Sequence, residues 1–98
     1  MRARRQDANA AEIISALRKV GVEVYDMGRT AQFLAGFPDL LVVVAGRMHL
    51  IEVKTEKGRL TEDQEHFHES WAGPPIIIVR SPEEAVMWAS KERMRYFR

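Results

Sequence analysis

Apolar positions along the chain change period several times. From about Asp7 to Val20, the residues Ala11, Ile14, Leu17 and Val20 recur at helical spacing, with Ala10 and Ile13 widening the stripe. This predicts an amphipathic helix stopped at Gly21. Val22 to Asp26 alternates apolar and polar, the pattern of a half-exposed strand. Residues 27–36 have no clear period and glycine near both ends, which predicts a loop with room for one helical turn. Two apolar runs then flank Ala45-Gly46, and so short a break makes them a hairpin. With a two-residue loop, Val44 faces Arg47 and, counting outward, Asp39 faces Glu52. A three-residue loop would instead set Asp39 opposite Val53. Leu40, Val42 and Val44 point one way and Leu41 and Val43 the other, so both faces of the hairpin need cover. Thr61 opens a second helix with Gln64 at the capping-box position. After Gly73-Pro74-Pro75, the β-branched run Ile76 to Val79 is a buried strand. It follows a crossover helix and so lies parallel to the Glu52 strand. Ser81-Pro82-Glu83-Glu84 starts a last helix, with Ser as cap, Pro first and Glu third. Its apolar face is Ala85, Val86, Trp88 and Ala89. The expected architecture is a three-layer α/β fold of order αβββαβα, with helices flanking a mixed four-stranded sheet.

The hairpin also concentrates charge. Directly opposed residues have Cβ atoms roughly 4.5–5.5 Å apart on one sheet face. Lys54 lies two residues past Glu52 and shares that face. Asp39, Glu52 and Lys54 therefore meet at one end of the hairpin. Neighbouring carboxylates repel and raise each other's pKa. A hard divalent cation resolves the conflict, since Mg²⁺ typically takes one or two carboxylates plus waters and a substrate phosphate. The lysine can orient a water or neutralise developing charge. A structural ion pair at a strand end accounts equally well for a bare Asp…Glu-x-Lys.

The wider context adds specificity. Gly36-x-Pro38-Asp39-Leu40-Leu41, followed by Ile51-Glu52-Val53-Lys54, resembles the PD-(D/E)XK nuclease superfamily, and within it the small VRR-NUC domains. Lys57-Gly58-Arg59-Leu60-Thr61-Glu62-Asp63-Gln64 is similar to that family's K-G-x-L-(S/T)-x-x-Q run. The resemblance extends from Glu12 to about Glu84. It implies a restriction-endonuclease-like core and a Mg²⁺- or Mn²⁺-dependent deoxyribonuclease. It implies metal held by Asp39, Glu52 and the Val53 backbone carbonyl, with Lys54 and Gln64 at the site. Glu12 has two readings. Asn9-Ala10-Ala11-Glu12 has a capping-box-like spacing, and the resemblance points a first-helix Glu at the metal, directly or through water. With the resemblance added, Glu12 is assigned to the site. Branched DNA, such as four-way junctions or flaps, and a homodimer presenting two sites are further implications.

Composition narrows the remaining classes. Ninety-eight residues make one domain, residues 1–98, with a basic arm expected at 1–6. A net charge of +1 supplies no broad basic field. The absence of cysteine excludes a disulfide framework and a thiolate metal site. No apolar stretch nears the roughly 20 residues of a membrane span, and no apolar segment follows the basic start to make a signal peptide. The expectation is a soluble intracellular protein with no membrane partner and no organic cofactor. His66 and His68, spaced i, i+2, point to different helix faces, and His49 lies within a strand, so none of the three is assigned to the site. Arg29, Gln32 and Phe33 in the first loop are candidate nucleic-acid contacts, with Phe33 able to stack on a base or fold back onto the core. Lys57 and Arg59 are candidate phosphate contacts. Met94, Tyr96 and Phe97 have little core left to join, which suggests an oligomer contact. The alternative function is a non-catalytic nucleic-acid-binding or interaction module that keeps the nuclease fold.

Overall fold

The computed structural model describes residues 2–96. The first helix, α1 (Arg2–Lys19), begins five residues before the expected Asp7. Residues 2–6, expected as a basic arm, are its first turns; Arg, Ala and Gln all favour helix, and no Gly or Pro interrupts them. Its buried stripe is Ile13 and Leu17, flanked by Ala10 and Ile14, while Ala11 and Val20 stay exposed. Gly21 terminates α1 at φ +82°, where only glycine is free of strain. Val22 N donates to Leu17 O and Gly21 N to Arg18 O, the paired bonds of a Schellman stop.

Three antiparallel strands follow: β1 (Glu23–Asp26), β2 (Leu40–Val44) and β3 (Arg47–Val53). Ala45 at φ 53° and Gly46 at φ 77° form the two-residue turn. Two left-handed residues match the strand twist of a tight hairpin. Val44 pairs with Arg47 and Leu40 with Ile51, so the two-residue register holds. After helix α2 (Glu62–Ser70), β4 (Ile77–Val79) adds parallel to β3, giving sheet order β1-β2-β3-β4. Helix α3 (Pro82–Tyr96) closes the chain. Ser81 Oγ accepts from Glu84 N, as the Ser-Pro-Glu-Glu start requires. The order is αβββαβα and the sheet is mixed.

The two faces of the sheet are covered unequally. Helices α1 and α3 pack on each other and on one face, burying Val24, Leu40, Val42, Val44, Ile51, Val53 and Val79 with Ala85 and Ala89. His49 lies on this side, edge-on to Trp88 at 5.0 Å, and burial pushes its pKa down. Helix α2 lies over the other face, but only at the end of β3. Leu41 and Val43 there remain part-exposed and Met48 is open. A shallow cleft of about 360 Å³ runs between Leu41, Met48, Leu50, Trp71 and Pro74. Ile78, which shares the open side with Glu52, is only half-buried, and Ile77, on the core side with Ile51, is part-exposed because β4 is an edge strand. Tyr96, expected to lack a partner within the chain, lies under the Arg47 guanidinium at 3.8 Å. Phe97 lies outside the described residues.

Candidate active site

The end of β3 alternates its side chains across the sheet. Ile51 and Val53 enter the core under α1 and α3, so Glu52 and Lys54 emerge beneath α2. Asp39 stands one residue before β2, and its Oδ2 accepts from Val53 N at 2.8 Å. That bond pins the acid against the strand that carries Glu52. Glu52 is fully buried, at 0% exposure, yet charged groups surround it. Its Oε2 accepts from Gln64 Nε2 at 3.1 Å, and its Oε1 lies 3.4 Å from His68 Nε2. Lys54, also buried, donates from Nζ to Gln64 Oε1 at 2.7 Å.

This arrangement holds Glu52 in its neutral form. Burial, then the hydrogen bond and negative charge of Asp39, push its pKa up to about 9, with Lys54 opposing only in part. Burial and the nearby Lys54 lower the pKa of His68. The carboxyl pair thus carries a proton where a cation could sit.

Gln64 performs two tasks at once. Its Oε1 accepts from Thr61 N at 2.8 Å while its backbone N donates to Thr61 Oγ1, completing the capping box. The same side chain spans Glu52 and Lys54. Sequence reasoning missed His68 by comparing it with His66. The useful comparison is Gln64 and His68, an i, i+4 pair on one helix face. It also missed Asn9, whose Nδ2 donates to Lys54 O at 3.1 Å and ties α1 to the strand end.

The VRR-NUC domain model matches residues 3–76. The chain belongs to the VRR-NUC domain family. Membership points to a nuclease-type function on nucleic acid. Neither a curated protein nor a solved structure matches the chain significantly.

In this VRR-NUC domain, Glu12 is not brought to the cluster. It is exposed and lines a surface groove with Ser15, Lys19 and Pro82. Because α1 starts at Arg2, Glu12 is also no helix-start cap. Asn9, one turn earlier, takes the place facing β3. Lys57 and Arg59 are exposed on the turn after Lys54, as a phosphate contact needs. That turn is held by Arg80, whose Nη1 donates to Thr55 O and Gly58 O at 2.8 and 2.7 Å. Among the described residues no three His, Asp or Glu converge as a complete cation cage. Two adjacent carboxylates suit Mg²⁺ or Mn²⁺, which keep waters and accept substrate oxygens. The VRR-NUC site fits such an ion by its donor chemistry: two adjacent carboxyls offer hard oxygens, and a cation can take the place of the proton that Glu52 holds.

Proposed function

We propose that the protein is a Mg²⁺- or Mn²⁺-dependent DNA endonuclease that hydrolyses phosphodiester bonds. The observation that supports this best is a fully buried Glu52 with its pKa raised to about 9, set beside Asp39 and bridged to Lys54 through Gln64. A purely structural ion pair would place the lysine directly on a carboxylate. Here Lys54 donates to the neutral amide of Gln64, and among the described residues it forms no ion pair with a carboxylate.

Asp39 and Glu52, with the Val53 carbonyl, would hold the cation. When bound, the ion supplies positive charge to the scissile phosphate and lowers the pKa of a coordinated water. Asp39 is fixed in direction by Val53 N, and Glu52 by Gln64 and His68. Lys54 directs its ammonium at the attacking water or at the charge that develops on the phosphate oxygens. The preferred substrate is branched DNA, such as a four-way junction or a flap, and a homodimer supplies the two sites needed to cut both strands. Exposed Met48 and Met94 leave apolar surface for such a contact.

Incubation with labelled duplex, flap and junction DNAs in Mn²⁺ tests the reading. Cleavage should appear with the wild type, and Asp39→Ala and Lys54→Ala should abolish it while leaving the fold and DNA binding largely intact. Wild-type rates in either variant overturn the assignment. DNA binding with no cleavage by any form would identify a binding module instead.

A further inference from the structure

We propose that Phe33 and Leu34 form an apolar wedge that packs against unpaired bases beside the scissile phosphate. This makes DNA with unstacked bases at the cut the favoured substrate. The inference rests on the nuclease reading above and extends it to the substrate's form.

The segment between β1 and β2 is closed at its neck by Met27 N donating to Asp39 O at 2.7 Å. Asp39 is the acid of the candidate site, so the loop springs directly from it. The tip is built by its own backbone. Thr30 N donates to Met27 O, Gln32 N to Arg29 O, Phe33 N and Leu34 N both to Thr30 O, and Phe37 N to Leu34 O, all between 2.8 and 3.1 Å. Thr30–Gln32 is a turn of 3-10 helix. On the returning side Gly36 lies against the Asp63 backbone and Phe37 meets Phe67 edge-on at 5.3 Å. The backbone at Phe33 is therefore set by bonds on both sides.

On this ordered tip Phe33 is 83% exposed and Leu34 52%. Neither is buried in the core, so folding gains little from most of their apolar surface. Their position suggests what does. Phe33 is three residues from Gly36, which bounds their separation at about 10–11 Å of extended chain. Gly36 abuts Asp63, the neighbour of the Gln64 that holds Glu52 and Lys54. A nucleic-acid strand seated at Asp39 and Glu52 can therefore reach Phe33 within a few nucleotides. Exposed Arg29 and Gln32 in the same turn suit a phosphate backbone on either side of a base. A base offers an apolar face with polar edges, and aromatic side chains stack on it regardless of sequence. Paired duplex hides those faces. A branch, flap or melted step presents them, and apolar wedges enter at such steps.

The test places 2-aminopurine at the branch of a flap or junction and measures its fluorescence with full-length protein in Ca²⁺ or EDTA, where cutting is not required. Wild type should change the signal. Phe33→Ala should lose the change and weaken binding to branched DNA about tenfold, within the range of one lost stacking contact. Phe33→Trp should retain it, and both variants should melt like the wild type. In Mn²⁺, Phe33→Ala should lower the preference for branched over duplex DNA. A fluorescence change and a branched-to-duplex ratio that ignore Phe33→Ala and Leu34→Ala overturn the wedge, as does a wild type that changes the signal on no DNA. A Phe33-dependent signal from a protein that cuts nothing upholds the wedge and overturns the nuclease reading alone.

Discussion

Glu52 is a carboxyl kept neutral by its surroundings, and that has a direct consequence for stability. Its pKa is about 9 in the fold against an ordinary 4.5. Between those values the folded protein holds a proton that the unfolded chain has released, so the stability of the cation-free protein falls as pH rises from about 4.5 to 9. Above 9 the loss is complete. Glu52→Gln removes the titration while keeping the shape. At pH 8 without divalent ions the variant should melt at least about 5 °C higher, the shift that 1 kcal/mol gives in a domain of this size. Its melting temperature should also stay flat from pH 5 to 9 where the wild type declines. Gln64 gives a second expectation. It joins Thr61, Glu52 and Lys54, so Gln64→Ala should cost about 1 kcal/mol as a lost cap. It should also lower Mn²⁺-dependent cleavage by about 10–100-fold, as removal of a group that orients metal ligands does. Denaturant melts and single-turnover rates separate the two effects.

At the scale of elements, the glycine of Gly36-x-Pro38-Asp39 has a physical reason. A Cβ there would sit 2.2 Å from the Asp63 carbonyl oxygen, and φ is +81°. The close approach sets α2 where Gln64 and His68 reach Glu52. Gly46 shares a positive φ of 77°, but a Cβ there meets nothing. Gly46→Ala should therefore cost only the left-handed backbone penalty, about 1–2 kcal/mol. Gly36→Ala should cost more and reduce cleavage further than its stability loss explains. Urea titration beside activity checks the pair. These elements also show what the chain reveals unaided. The tight turn at Ala45-Gly46 allowed the strand register to be counted, and with it the meeting of Asp39 and Glu52. The capping box at Thr61 and Gln64 was legible because both partners are local. The start of α1 was not, because Arg2 to Gln6 offer no large apolar residue to set a period although their helix propensity is high. His68 and Asn9 were hidden for a different reason: each touches the site across a tertiary contact that no local period encodes.

For the whole molecule, the unequal cover of the sheet is the main departure from a symmetric sandwich. The open side with Met48 and Leu41, and the Met94 end of α3, remain apolar and accessible. If the functional unit is a dimer joined at the C-terminus, deletion of residues 94–98 should halve the mass measured by light scattering and uncouple paired cuts on a junction. It should also remove Tyr96 from beneath Arg47. A wild-type mass of 11.3 kDa at working concentration, with full junction cleavage, would exclude the dimer.

Helix α2 buries none of its own residues and packs closely on no other helix or strand among those described. It is moored by the Phe37–Phe67 contact, the Gly36 crossing and the polar bonds to Glu52 and Lys54. On the proposed function, its anchorage and the binding of a cation at Glu52 would be thermodynamically reciprocal: an ion that fixed Glu52 would also steady the helix, and loosening the helix would weaken the ion's grip. Amide hydrogen exchange should show this as protection in residues 62–70 that is low without Mn²⁺ and rises with it, while β2 and β3 stay slow throughout. Helix α2 would then act as a gauge of loading, ordered most firmly when the centre beneath it is charged for catalysis.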